Sequence, residues 1–331
     1  VFNAIRLDGN DAFFLDSADS RGRFSILGDT AGPLSRSIRY SLDDGDILDT
    51  LEQELSMPLY GAPDLPFTGG WIGYLGYECA QLTMPIMLRH RSPHPDAYLV
   101  RPQSFIVYDH AVEVAHLCAL AGEGAEELLD RLEEKMDGVE SAEPSRIGKG
   151  SWSNPDYLGC IKQAQELLHA GESYEVCLTD TYTAAASGEL YQQLREHSPA
   201  PYAAHLVFNG VEVASASPER FLTVRGREVE AKPIKGTVAA DQDPALLADE
   251  KTRAENLMIV DLLRNDLSRV CNPGTVRVPA LMQVESYATV HQLVSTITGR
   301  LRERCTAIDA VRATFPPGSM TGAPKLRTCE I

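Results

Sequence analysis

The chain has 331 residues, of which 44% are apolar and 23% charged, enough for one large domain or two ordinary ones with a sizeable core. Its formal net charge of −17 argues against nucleic acid or an anionic membrane as the main partner, although a local basic pocket is still able to hold an anionic small molecule. Seven scattered cysteines with no CxxC pair fit reduced thiols better than a disulfide framework or a zinc site. No apolar run reaches membrane-spanning length and Val1–Arg6 shows no signal-peptide pattern, so the expected location is the cytoplasm.

The N-terminal part reads mostly as strands. Ala12–Leu15 and Phe24–Leu27 are short apolar runs between Asp/Gly/Ser clusters, and leucines at helical spacing predict a helix over Ile47–Ser56. Phe67–Tyr77 carries four glycines among aromatics without matching a nucleotide loop, a density that marks tight backbone packing. Ser104–Tyr108 and Val112–Leu117 read as a hairpin, and Glu126–Met136 as an acidic helix. The stretch 137–151, rich in Gly, Ser, Glu and Pro, reads as a linker or surface loop between an N-terminal part, 1–136, and a catalytic part, 152–331.

Beyond it, Ser153–Asp156 caps a helix that runs to about Ala170. Leu206–Thr237 reads as a meander. A long helix over Pro244–Val270 looks apolar nearly all round, so Glu255, Asp261 and Asp266 need partners, either Arg253, Arg264 and Arg269 or a metal. A strand over Thr275–Leu281 and helices over His291–Leu301 and Ala307–Thr314 follow. Phe315–Lys325 is a turn of small residues, either a plain Pro/Gly loop or an anion-binding nest. His205 and His291 are open to being ordinary core histidines.

One hairpin concentrates chemistry. Ser217-Pro218-Glu219-Arg220-Phe221 leads through Gly226 and Arg227 to Ala231-Lys232-Pro233-Ile234-Lys235-Gly236-Thr237. A turn centred on Gly226 sets Glu219 opposite Ile234, beside Lys235. Pro233 implies an edge strand or a strand end, and Gly236 a close approach of backbone to a neighbour. The pair is open to being a surface salt bridge. Alternatively, the neighbouring cation Lys232 favours a neutral, nucleophilic Lys235 amine.

Ser217–Phe221, Pro233–Thr237, Arg253–Asp266 and Phe315–Lys325, in that order, resemble the chorismate-utilising enzymes. Gly171–Thr179, Ser198–Tyr202, Leu15–Ala18 and Phe24–Gly28 also fit, so the likeness covers essentially the whole chain. Within the family, Pro-Ile-Lys-Gly-Thr is similar to the aminodeoxychorismate synthase branch; the anthranilate synthase branch usually has alanine at the place of Lys235. The resemblance implies an interwoven α+β fold with an antiparallel β-sandwich core and flanking helices. It implies that Lys235 attacks ring carbon 2 of chorismate as the hydroxyl on carbon 4 leaves, with Glu219 as general acid/base at that hydroxyl. Ammonia from a glutamine amidotransferase, separate or fused, then enters at carbon 4 and expels the lysine. Mg2+ held by Glu255, and a substrate turn of Ser319, Thr321, Gly322 and Ala323, are implied too.

His291 takes a site role in this resemblance, although the family's His stands where this chain has Gln292. Asp16, Ser17 and Tyr202 match positions where related proteins bind tryptophan, so a non-catalytic, tryptophan-binding relative is an alternative, as is an anthranilate or isochorismate-type synthase. The family continues for over a hundred residues past Ile331, with further magnesium ligands. The expectation is that the 331-residue chain taken alone has an incomplete metal site and is inactive.

Overall fold

The computed structural model describes residues 1–6, 8–17, 22–56, 64–136, 145–287 and 289–331. The chain forms two compact units that share it alternately: 1–76, 92–149 and 184–218 make the first, and 77–91, 150–183 and 219–331 the second. Residues 137–144 of the expected linker lie outside the described residues.

The first unit is a β-sandwich. Strands β1 (Ala12–Asp16), β2 (Phe24–Asp29), β3 (Arg36–Tyr40), β4 (Ile72–Leu75), β5 (Ala97–Arg101), β6 (Ser104–Asp109), β7 (Val114–Ala119), β8 (Tyr202–Phe208) and β9 (Val211–Ser217) pair antiparallel. They form a six-stranded sheet, β9-β8-β1-β2-β6-β7, and a three-stranded sheet, β3-β5-β4. Side chains alternate faces along a strand, so Phe105 and Val107 join Phe13, Leu206, Ile72, Tyr98 and Val100 between the sheets. Ile106, turned the other way, packs with Ile5, Leu27 and Leu132, the last from the acidic helix Ala125–Met136. Gly73 explains part of the glycine-rich run: at φ +159° a Cβ there would collide with the Tyr98 carbonyl on the next strand. His205 is a satisfied core histidine, its Nε2 2.7 Å from the Glu212 carboxylate.

The expected meander over Leu206–Thr237 divides at Pro218. In the second unit β10 (Arg220–Arg225), β11 (Glu228–Lys232), β12 (Ile234–Ala239), β13 (Arg277–Ser286) and β14 (Val290–Arg300) form one antiparallel sheet. β14 is its spine: β11 and β12 lie end to end along one edge of β14, and β13 lies along the other. Pro233 therefore sits at a break between two strands, and β11, flanked by β10 and β14, is not an edge. The helix expected over His291–Leu301 is this central strand. Val290, Val294, Thr296, Ile297 and Thr298 are β-branched, stiff at χ1, and fit a pleated surface better than a helix.

The long helix is shorter and more one-sided than expected. Pro244–Ala248 is a 3₁₀ turn, Asp249 caps the next start by accepting from the Thr252 amide at 3.0 Å, and the α-helix spans Glu250–Ser268. Its inner face, Ile259, Val260, Leu263 and Leu267, packs on Val229, Ala231, Ile297 and Leu301 of the sheet and on Ala310 and Ala313 of helix Ala307–Thr314. Leu257 is exposed, and Asp261 pairs with Arg264 on the solvent side. Only Asp266 of the three acids is buried.

Candidate active site

The hairpin turns as its sequence dictates. Gly226 has φ +58°, and Val224 pairs with Val229, Thr223 with Glu230 and Arg225 with Glu228. A register shift between Arg220 and Thr223 then bends β10. In an antiparallel ladder both polar groups of a residue point to the same neighbour. Pro233 turns its carbonyl to Ser295 of β14, at 3.2 Å, so Ile234 faces the opposite side. There a carboxylate takes the place of a strand: the Ile234 amide donates to Glu219 Oε2 at 3.1 Å.

The Ser319 hydroxyl donates to Glu219 Oε1 at 2.5 Å. Burial pushes the Glu219 carboxyl above the usual glutamate range, opposed by the donors Ser319 and Ile234 and by the charge of Lys235. A raised carboxyl gives up its proton at a higher pH than a free glutamate does, a shift toward what general-acid chemistry needs.

Lys235 extends from β12. Its Nζ donates to the Glu175 carboxylate and, at 3.2 Å, to the Ser319 carbonyl. Lys232, the cation invoked beside it, is paired instead with Glu285 at 2.6 Å. Gly236, at φ +88°, brings the backbone against the long helix: a Cβ there would collide with the Thr252 methyl, so its close neighbour is protein.

The small-residue turn is a compact frame. Phe315-Pro316 and Ala323-Pro324 are cis. Ser319 and Thr321 are buried, and their hydroxyls bind protein: Ser319 donates to Glu219, and Thr321 to the Pro317 carbonyl at 3.0 Å. Gly322 and Ala323 form a two-residue strand paired with Val176 and Glu175. The Lys325 ammonium, itself buried, binds the Asp266 carboxylate at 2.6 Å and the Thr314 carbonyl at 2.7 Å. The turn thus presents hydroxyls already engaged rather than an open nest, and the helix after it, Lys325–Glu330, is short.

Glu255 lies on the long helix, its side chain 32% exposed and 3.4 Å from Lys251. A hard divalent cation takes several oxygen donors, and among the described residues no three His, Cys, Asp or Glu side chains cluster to supply them. The described residues therefore do not fit a Mg2+ site by themselves. His291 and Gln292 alternate on β14. His291 is held by Ser286 Oγ at 2.7 Å and the Ala240 carbonyl at 3.1 Å, while the buried Gln292 donates to Thr237 at 3.4 Å.

In the first unit, Asp16 lies opposite Ala203, the residue after Tyr202. Its buried carboxylate accepts from Arg195, from Tyr191 at 3.1 Å and from Ser25 at 3.2 Å, and Ser17 donates to the Phe24 carbonyl at 2.7 Å. Tyr202 is 42% exposed.

Two groups escape a sequence reading. Glu175 sits inside the Gly171–Thr179 run but meets Lys235, sixty positions away. Lys325 closes the turn on an acid 59 positions upstream. Local pattern carries no signal for either; the β-pairing of Glu175 with Ala323 brings Glu175 to the turn, and Lys325 reaches Asp266 on the long helix.

Residues 11–331 match the family model for a chorismate binding enzyme. The chain belongs to the chorismate-binding enzymes. It is 39% identical over 393 aligned positions to an aminodeoxychorismate synthase, chloroplastic, of Arabidopsis thaliana, covering 98% of this chain and 42% of that protein. It is 40% identical to an aminodeoxychorismate synthase of Streptomyces griseus, covering all of this chain and 52% of that protein. The chain thus spans about half the length of these relatives. Among solved structures, anthranilate synthase component I of Streptococcus pneumoniae superposes with a TM-score of 0.79 at 29% identity, over 94% of this chain and 76% of that one. The α+β architecture of antiparallel sheets and flanking helices expected of a chorismate-binding enzyme is the one observed.

Proposed function

We propose that this chorismate-binding enzyme is the amination part of an aminodeoxychorismate synthase, converting chorismate and ammonia to 4-amino-4-deoxychorismate. The observation that carries this reading is a lysine, Lys235, and a half-buried glutamate with a raised pKa, Glu219, brought to one residue, Ser319. A nucleophile and a proton donor that act on different carbons of one ring must be separate groups held in one frame. The Ser319 peptide supplies that frame, binding Lys235 through its carbonyl and Glu219 through its hydroxyl.

In this reading the amine bonds to ring carbon 2, the ring double bonds shift, and the carbon 4 hydroxyl leaves as water with the Glu219 proton. Ammonia then bonds to carbon 4, the double bonds return, and Lys235 is expelled. A glutamine amidotransferase is the proposed ammonia source. Glu255 is the proposed contributor from this chain to a Mg2+ shell; no step above runs through the metal.

Chorismate and an ammonium salt supplied to the complete enzyme test this. Aminodeoxychorismate is the expected product, and Lys235→Ala is expected to abolish it. Anthranilate as the product, or an undiminished Lys235→Ala rate, would remove the reading.

A further inference from the structure

We propose that Glu175 is the base that takes the Lys235 proton as the amine attacks the ring. This rests on the function proposed above and adds a catalytic residue to it. A lysine attacks carbon only through its lone pair, so an ammonium must first shed a proton to a neighbour. Among the described residues Lys235 Nζ has two acceptors, the Glu175 carboxylate and the Ser319 carbonyl. Of the two, the carboxylate is by far the stronger base, and a peptide carbonyl is too weak to accept an ammonium proton even in passing. Glu219 is otherwise engaged, with both oxygens accepting hydrogen bonds and its carboxyl needed in the acid form at the leaving hydroxyl.

The two glutamates differ in the way their roles require. Glu219 receives the Ser319 hydroxyl and the Ile234 amide, whereas Glu175 offers Oε1 to Lys235 while its Oε2 is buried without a hydrogen-bond partner among the described residues. Buried side-chain oxygens rarely go without a donor, and one that does calls for an explanation. An open position on a carboxylate already bonded to the nucleophile is room for the proton in transit. The side chains of Glu175 and Lys235 are 16% and 15% exposed, so water has limited access to do the same work.

A base must be held still, and the backbone sees to that. Tyr174 N–H donates to the Ala323 carbonyl at 2.8 Å and Cys177 N–H to the Thr321 carbonyl at 2.9 Å. Ser173 Oγ binds Thr328 Oγ1 at 2.7 Å. Gly322, at φ +141°, has no room for a Cβ against the Glu175 carbonyl. Glu175 is thus locked to the turn whose Ser319 touches both Lys235 and Glu219.

The step balances. The proton passes from the Lys235 ammonium to Glu175, the freed lone pair forms the bond to carbon 2, and the carbon 4–oxygen bond breaks with the Glu219 proton. When ammonia bonds to carbon 4, the ammonium so formed gives a proton to Glu219, the lysine leaves as a neutral amine, and the proton on Glu175 returns to it, so both glutamates and the lysine are restored.

The test supplies the complete enzyme with chorismate and Mg2+ but no ammonia, and follows the Lys235–ring adduct by intact-protein mass. The wild type is expected to accumulate it. Glu175→Gln is expected to form it about 100-fold more slowly, within the range for loss of a general base, with chorismate affinity changed by less than about threefold. Glu175→Asp is expected to lie between. Unfolding temperatures and chorismate calorimetry separate a chemical defect from a folded-state one. An adduct formed by Glu175→Gln at the wild-type rate or faster makes Glu175 a restraining counter-ion and overturns the proposal, while leaving Lys235 as nucleophile. A wild type that forms no adduct, with Lys235→Ala still turning over, removes the function reading and this inference together.

Discussion

At the scale of single residues, the candidate site holds one carboxyl whose surroundings raise its pKa. Glu219 lies above its ordinary value of 4.5 because burial outweighs the donors that favour its charge. A carboxyl raised on folding adds stability that is full below its unfolded value and is lost as pH rises through the folded one. Glu219→Gln escapes that loss. Its unfolding temperature relative to wild type should therefore climb between pH 4 and pH 8, while its activity falls by about 100- to 10,000-fold, the range for losing a general acid. Parallel unfolding curves across that pH range would sink the burial argument. That Glu219 comes to Ile234 was legible in the sequence, because Gly226 fixes the turn, but the count outward fails beyond Thr223: the register shifts so that Arg220 pairs with Lys232, and Glu219 reaches the Ile234 amide through its side chain. Glu175 was not, since no local period links positions 175 and 235.

Among elements, the sequence misleads where two periodicities compete. Val290–Arg300 has enough apolar residues for a helix, but its β-branched residues and its place between β11–β12 and β13 make it a strand. In that setting His291 and Gln292 point apart, and Gln292 is the one beside Thr237. The 315–324 turn is governed by a different device, the buried ammonium of Lys325. It joins the carbonyl before the turn, Thr314, to Asp266 on the long helix, from a residue just after the turn. Burial shifts both partners toward neutrality, Asp266 upward and Lys325 downward, and their mutual attraction opposes it. Removing Lys325 leaves the buried Asp266 with the half-exposed Arg269, at 3.2 Å, as its remaining cation, so Lys325→Met is expected to cost about 3 kcal/mol, the low end for breaking a buried pair. The pair Lys325→Met with Asp266→Leu should recover part of that. Urea denaturation of both variants decides it, and a single variant with wild-type stability would show that the pair does not hold the turn.

For the whole molecule, the decisive property is that the chain alternates between its two units. A division at 136/152 follows the composition, yet it cuts across both. Residues 1–136 alone keep β1 but lose β8, with which β1 pairs from Ala12–Val207 to Asp16–Ala203. They also lose helix Leu190–His197, whose Arg195 and Tyr191 satisfy the buried Asp16 carboxylate. Residues 152–331 alone carry the β8–β9 hairpin without β1. They also lack residues 77–91, which supply Thr83 to the Phe315 carbonyl at 2.8 Å. A strand stripped of its neighbour exposes unpaired backbone, and a carboxylate stripped of its donors is costly to bury. Each half expressed alone should therefore aggregate or unfold without a cooperative transition, and mixing the two halves during refolding should restore one. Circular dichroism during thermal unfolding, with an amide spectrum of each half, makes the comparison. A cooperative transition from residues 152–331 alone would mean that the sheet of β10 to β14 needs nothing from the chain before it, and that the interleaving does not make the chain fold as one.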